Sequence, residues 1–387
     1  MSASGTEIIP LNGLRSFLDF CKVPRLLYNG QPGFAVPLDA ERWTLFAHRL
    51  NPHFKLVESK SWIARKDGKL AGRILAQVYK KGTAPVEASP AQFGCFDCID
   101  DDEAAAALTK TAEDWLRERG ATRAAGPFSP SINAEAGLLV EGFEAAPMFM
   151  VPWNPPYLGP VLERQGYTKA RDLISYRYDV SEKDRTSERR ILERPEWRSR
   201  LNIRKLDLGN LRQEAAIIVD IFNDGWRDNW GFVPLTLDEL MSSADALKWV
   251  VPAEGKFMKG GFMIELDGVP QACGLVLPNL HEITADLGGR LFPFGLPRLI
   301  SRIKSHAFLS GRLLLFGLRR ALHRKAAGGA IILAFIEELR HRATTSPIQH
   351  VEFGWVLENN HGMRHPIEWA GGRIDKVHRV YEKTLAA

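Results

Sequence analysis

The stretch "GRLLLFGLRRALHRKAAGGAIILAFIEEL", Gly311 to Leu339, joins two apolar runs of different period through a basic loop. GRLLLFGL is short and continuous, as a buried strand would be, whereas AIILAFIEELRHRA has helical spacing and basic residues at its end. Between them lie Arg319, Arg320, His323, Arg324, Lys325 and the pair Gly328-Gly329. Free N–H groups at a helix start attract anions, glycine permits close backbone approach, and neighbouring cations add charge. The loop therefore reads as a phosphate cradle. The plainer reading is a solvated basic loop before an ordinary helix, and the strand-loop-helix setting favours the cradle.

Downstream, "VEFGWVLENNHGMRHPIEWAGGRIDKVHRVYEKT", Val351 to Thr384, reads as a strand halted by Glu358-Asn359-Asn360, a short helix, Gly371-Gly372 and an alternating strand through Tyr381. Upstream, "KGGFMIELDGVPQACGLVLPNL" predicts a hairpin about Asp267-Gly268, preceded by the helical segments "LRQEAAIIVDIFNDGW" and "TLDELMSSADALKWVV". The first half of the chain repeats this order. Two helices lie within 11–50, a hairpin turns at Asp67-Gly68, and "AQFGCFDCID" is a strand. "DDEAAAALTKTAEDWLRERG" is a helix closed by Gly120, and a strand, a helix and the strand "LISYRYDV" follow. Asn154, Pro160 and Gly166 align without a gap on Asn360, Pro366 and Gly372. The expectation is an α/β chain (α+β, mixed sheet) of two duplicated domains, 1–180 and 201–387. A charge-rich linker, 181–200, joins them.

The chain has 387 residues, 45% apolar, with net charge +5 and a pI near 9.0. That balance mildly favours an anionic partner. No nucleic-acid motif accompanies it, so nucleic acid is not expected as a partner. No secretory signal and no apolar run of about 18 residues is read, which suggests a cytoplasmic protein with a membrane surface still open to it. Cys95 and Cys98 form a lone CxxC within a strand, without the second pair or the histidines a zinc site needs, so no metal is expected.

Strand, basic glycine loop and helix, then strand, Asn, short helix, Gly and strand, resembles the GNAT superfamily of acyl-CoA N-acyltransferases. The phrases "FNDGWRDNWGFVPLT", "GPFSPSINAEAGLLVEGF", "WNPPYLGPVLERQGYTKARDL" and "WVLENNHGM…GG…VYEK" are similar to a bacterial group of duplicated GNAT proteins that includes the ceramide synthases. The resemblance implies two parallel strands that splay apart, pantetheine in the gap, and the CoA pyrophosphate on the glycine loop. It implies a fatty acyl chain passed to the amine of a sphingoid-base-like lipid, with a small amine or peptide acceptor, or a non-catalytic acyl-CoA or lipid binder, as alternatives. The cofactor set implied is Gly317, Leu318, Arg319, Arg320, His323, Arg324, Lys325, Gly328 and Gly329, with Asn359, Asn360 and Met363 for the arm. The loop can be set as Lys325-Gly328-Ala330 or Arg324-Ala327-Gly329.

For the acceptor, Asn133 and Glu135 come from the loop 129–142, and Trp226, Asn229 and Trp230 from the FNDGWRDNWG phrase. Amide formation needs a base for the amine and a proton for the thiolate. Tyr381, Glu358 and Glu282 are the candidates. The counterpart loop of the first half is acidic and lacks glycine, so CoA is expected on the second half only. Leu287 to Ile336 has no acid but nine Arg and Lys, and 296–307 places Leu296, Leu299, Ile300, Ile303 and Ala307 on one face, against Arg298 and Arg302. That pattern reads as peripheral attachment to an anionic membrane surface on the cytoplasmic side.

Overall fold

The computed structural model describes residues 5–180, 190–248, 261–344 and 346–385. The first half runs β1 (Thr6–Pro10), α1 (Leu14–Tyr28), α2 (Asp39–Phe46), β2 (Val57–Lys66), β3 (Lys69–Tyr79), β4 (Ala91–Cys98) and α3 (Asp102–Arg117). It continues through β5 (Arg123–Gly126), β6 (Phe128–Ser129), β7 (Glu135–Ala136), β8 (Leu138–Glu141), α4 (Leu158–Arg164) and β9 (Thr168–Asp179). The second half runs α5 (Pro195–Arg198), β10 (Leu201–Lys205), α6 (Leu211–Trp226), α7 (Leu237–Lys248), β11 (Gly261–Leu266), β12 (Val269–Pro278) and α8 (His281–Thr284). It closes with α9 (Gly295–Ser305), β13 (Ser310–Leu318), α10 (Ala326–Thr344), β14 (His350–Leu357), α11 (His361–Trp369) and β15 (Arg373–Thr384). Residues 181–189 of the linker expected at 181–200 lie outside the described residues; in the remainder, Pro195–Arg198 is a single helical turn.

Local chemistry explains the repeated elements. Both hairpins turn on Asp-Gly with positive φ at each residue, 51° and 75° at Asp67-Gly68 and 54° and 76° at Asp267-Gly268, the geometry that matches strand twist. Helix α3 is capped by Asp101, whose carboxylate accepts from Ala104 N–H at 2.9 Å, and it buries Leu108, Ala112 and Leu116 against β3. Cys95 and Cys98 sit buried in β4, and burial pushes both thiols up to about 12, so they pack as small neutral hydrophobes. Each half also opens with a short strand, β1 or β10, that was not foreseen. The gapless match lies one residue out at its end. The left-handed glycines that close α4 and α11 are Gly166 and Gly371, and Asn154 clamps Leu139 through both ends of its amide instead of capping a helix.

The sheet order is β1-β2-β3-β4-β5-β15-β9-β14-β13-β12-β11-β10, a sequence of pairings that mirrors itself about its centre. Each half hands its last strand to the other. β15 pairs antiparallel with β5 (Tyr381↔Gly126), and β9 pairs antiparallel with β14 (Val351↔Tyr178). The two exchanged strands, 12 residues each, pair with one another and weld the halves into one sheet. Among the described residues no helix is long and apolar enough to cross a membrane. The apolar face of α9 packs inward, with Leu299 and Ile303 beside Leu280, Ile283 and Phe308. Phe292, Phe294 and Ile300 stay exposed, at 77%, 70% and 45%. Acids from elsewhere hold three of the nine cations of the acid-free stretch: Asp286 holds Arg302, Asp220 holds Arg319 and Asp228 holds Arg320.

Candidate active site

Strands β13 and β14 run parallel from Ser310↔His350 to Leu313↔Phe353 and then part, although β13 continues to Leu318 and β14 to Leu357. An extra residue in β13, between the partners of Leu275 and Val276, bends the strand just where the pairing stops. The result is an opening edged by 314–318 and 354–357. Trp226, the last residue of α6, donates its indole N–H to the Phe316 carbonyl at 2.9 Å and meets the Trp355 ring edge-on. Gly317 lets α6 approach, since a Cβ there would come within 3.1 Å of Ile221. Leu318 is buried beside α10.

Beyond Leu318 the basic loop divides into two pairs of cations. Arg319 and Arg320 face Asp220 and Asp228, and the Arg320 N–H donates to Asp224 at 2.9 Å. Arg324 and Lys325 are exposed and have no ionic partner among the described residues. Arg324 is left-handed (φ 58°), an uncommon conformation for a residue with a side chain, and turns the chain into α10. His323 donates Nε2–H back to Leu318 O at 3.1 Å. The N–H groups of Ala326, Ala327 and Gly328 have no acceptor among the described residues. Gly328 is needed for packing, because a Cβ would fall 2.2 Å from Leu322 O. Gly329 faces open space. Free N–H groups, an open glycine and two unpaired cations fit a diphosphate.

The equivalent place in the first half is closed. β4 and β5 share one parallel pair, Gln92↔Ala125. Beyond it the chain itself fills the gap: Cys95 N–H donates to Ser129 Oγ at 3.0 Å, and Gly94 lies so close to Phe128 O that a Cβ would collide. The start of α3 carries Asp101, Asp102 and Glu103, and Lys66 bridges Asp101 and Glu103.

Asn360 caps α11, accepting from Met363 N–H at 3.3 Å. Asn359 is exposed, and its side chain has no partner among the described residues. The three catalytic candidates are not brought together. Tyr381 is buried in the first half's core, donating to Glu163 at 3.2 Å; burial, then Glu163, pushes its pKa up to about 12. Glu358 pairs with Lys169 at 2.6 Å and accepts from Asp172 N–H. Glu282 clasps the start of β13, accepting from Leu309 N–H, Ser310 N–H and Ser310 Oγ, with His306 at 2.9 Å. Of the acceptor candidates, Trp226 reaches the opening and Asn229 lies in the turn after it. Trp230 is buried at the seam between the halves, where Asn133 donates to Val233 O at 3.2 Å. Glu135 faces Arg42 at 2.6 Å; burial opposes its charge, but Arg42 holds its pKa below the usual carboxylate range.

Sequence reasoning missed a buried charged cluster at the apex of the opening. Arg312 and Glu352 are register partners one step before the strands part. Arg312 donates to Phe149 O at 3.0 Å and to Met150 O at 2.5 Å, and reaches Gly354 O at 3.2 Å. Lys376 meets Glu352 at 2.7 Å with both side chains nearly inaccessible, and Glu352 Oε1 has no partner among the described residues. Burial opposes the Lys376 charge, but Glu352 raises its pKa. His378 donates Nε2–H to Pro152 O at 2.8 Å, and burial lowers its pKa to about 4, so the ring is neutral with Nδ1 free to accept. The available signal was a single Arg in β13 and a single Glu in β14, both otherwise mainly apolar; β15 is charged at many positions, so nothing in it singled out Lys376 or His378.

No family model matches the chain. It is 35% identical over 381 residues to the bacterial ceramide synthase of Caulobacter vibrioides, covering 98% of this chain and 97% of that protein. It is 35% identical over 377 residues to protein YghO of Escherichia coli, covering 97% and 93%. Among solved structures, a tandem GNAT protein from the clavulanic acid biosynthesis pathway matches with a TM-score of 0.54 at 13% identity, over 99% of both chains. A GCN5-related N-acetyltransferase from Sphaerobacter thermophilus matches with a TM-score of 0.50 at 11% identity, over 98% of this chain and 96% of that one. At such identities the structures speak for the fold, and the curated relatives carry the family. Joined strand for strand in a doubled GNAT sheet and alike over nearly its whole length, the chain belongs to the bacterial ceramide synthase family of tandem GNAT proteins and is an acyl-CoA-dependent N-acyltransferase.

Proposed function

We propose that the chain transfers a fatty acyl group from CoA to the primary amine of a sphingoid-base-like lipid. The amine nitrogen attacks the thioester carbonyl, a C–N bond forms and the C–S bond breaks. The nitrogen loses a proton and the CoA thiolate gains one. The observation that carries this reading is the asymmetry of the two strand pairs, one open before a basic helix start and one filled by its own chain before an acidic one. In this scheme the halves 1–180 and 201–387 are two domains that exchange their last strands, and only the second holds acyl-CoA. Arg324, Lys325 and the first N–H groups of α10 bind the pyrophosphate, and Asn359 and the edges of the opening bind the arm. The ceramide synthase name of a relative supplies the acceptor class.

The exposed Phe292, Phe294 and Ile300 beside Arg290, Arg298 and Lys304, which have no ionic partner among the described residues, supply a landing surface on an anionic leaflet. Arg302, held by Asp286, is not part of it. The test is acyl transfer from palmitoyl-CoA to a sphingoid base in mixed micelles, followed by thiol release and by mass spectrometry of the lipid product. Robust acylation of soluble amines or peptides, with none of sphingoid bases, would refute the lipid acceptor.

A further inference from the structure

A second space, partly open to solvent, lies away from the basic loop, between the first half and His281 of α8. It is a cavity of about 90 Å³, walled by α1 and α2, β4, the segment 127–154 and His281. By volume it has room for roughly three waters, enough for a small polar head and too little for an alkyl chain. Its wall touches the active opening: the Met150 carbonyl accepts from Arg312, and Arg312 also reaches Gly354 O at 3.2 Å, where β13 and β14 part. The cavity is therefore one guanidinium away from the apex where a thioester would lie.

Charge and unmet hydrogen bonds define what fits. Three carboxylates, Glu41, Asp97 and Glu135, line the cavity against two guanidiniums, Arg42 and Arg73, leaving one negative charge in excess. Arg42 binds both Glu41 and Glu135, at 2.7 and 2.6 Å, and Arg73 binds Asp97 at 2.6 Å. Burial holds the pKa of His281 below its ordinary value, so it adds no positive charge near neutrality. Two lining residues have a buried donor without a partner among the described residues: Arg42 through Nε, on a side chain 7% exposed, and Trp153 through Nε1, which abuts Gly33. A buried donor without an acceptor is costly, so each calls for an oxygen. One cationic group with hydroxyl oxygens beside it would answer both conditions; a phosphate or carboxylate would answer only the second.

We propose that this cavity receives the head of the acceptor, a 2-ammonium-1,3-diol, with the excess carboxylate charge facing the ammonium and the Arg42 and Trp153 donors facing the hydroxyls. This rests on the reading of the chain as acylating a lipid amine. In this proposal the alkyl chain leaves along the neighbouring apolar cluster, displacing part of its packing. Leu38 and Phe149 of the first half meet Leu280, Ile283 and Leu299 under α9, next to Pro37 and Met150 of the cavity wall. Leu291, next in the chain to the exposed Phe292, packs against that cluster, so polar head and apolar chain each meet a matching environment.

The experiment titrates a soluble eight-carbon 2-amino-1,3-diol into the full-length chain by calorimetry, beside its N-acetyl analogue and an eight-carbon carboxylate. The amine should bind at least about tenfold more tightly than either analogue, a difference of about 1.4 kcal/mol. Glu135→Gln should weaken amine binding about tenfold, and Trp153→Phe a few-fold, with CoA affinity unchanged in both. Trp153→Phe leaves every ion pair intact and guards against misfolding of the first variant. Equal affinity for the amine and its N-acetyl analogue, or amine binding unaltered in both variants, overturns the site. Acyl transfer whose KM for the amine is unchanged in both variants overturns the site and leaves the proposed function standing. Binding that both variants weaken, without any transfer from acyl-CoA in the wild type, upholds the site and overturns the function.

Discussion

The basic loop offers a prediction in which cations close in sequence behave differently. Replace Arg324 and Lys325 together by Gln in one variant, and Arg319 and Arg320 in another. The first pair is exposed with no ionic partner among the described residues, while the second is held by Asp220 and Asp228. Two unit charges about 4 Å apart attract by about 1 kcal/mol in bulk water and about 4 kcal/mol near a protein surface. For exposed side chains the lower part of that range applies. Each free cation is then worth about 1–2 kcal/mol against the CoA diphosphate, and the pair about 2–4 kcal/mol. Losing both should weaken CoA binding by about thirtyfold to several hundredfold. Arg319 and Arg320 already spend their charge on carboxylates, so their replacement should change affinity less than about threefold, in line with the small net value of exposed pairs. Calorimetric titration with CoA in low salt measures both, and added salt should shrink the first effect. A stoichiometry of one per chain is expected. Equal losses in the two variants, or no loss from Arg324→Gln with Lys325→Gln, would refute the division of the loop. A stoichiometry of two would refute the closure of the first half.

Asn360→Ala should cost about 1 kcal/mol of stability through the lost cap and Asn359→Ala almost none, while only the latter weakens acyl-CoA binding; melting temperature and affinity measured together separate them. Glu352→Ala should destabilise the fold by about 1.5–3 kcal/mol, because the buried Lys376 loses one of its two carboxylate partners and keeps only Asp375, and denaturant unfolding reads this directly. His378 takes up protons in the unfolded chain near its ordinary pKa of 6.5 but in the fold only near 4. The unfolded state thus binds more protons across that window, and stability should fall as pH drops from 6.5 towards 4, by up to about 3 kcal/mol. His378→Gln should flatten this part of the pH profile, and an unchanged profile would reject the assignment. Sedimentation with anionic but not neutral liposomes, released by salt and by Arg290, Arg298 and Lys304→Gln, is expected of the proposed landing surface.

Local pattern carried the chain a long way. Period and turn residues alone identified the two Asp-Gly hairpins, the acid-capped α3, the strand-loop-helix at β13 and α10, and the repetition of their order. These features depend on neighbours within a few residues, where backbone preference and side-chain alternation act directly. Pairing of distant strands does not. β9 and β15 are equally long and equally suited to β5 or β14, so nothing in either strand says that each completes the other half's sheet. The same limit applies to charge. The stretch from Leu287 to Ile336 reads as a field of free cations, yet Asp220, Asp228 and Asp286, carboxylates outside that stretch, hold three of them, and the fold buries Arg312 as a fourth. Composition counts charges, but only the fold decides which are spent. The buried cluster of Arg312, Glu352, Lys376 and His378 comes from three strands separated by long segments of chain. Its members become neighbours through β13–β14 pairing and the exchanged β15, contacts that exist only once the whole sheet has formed.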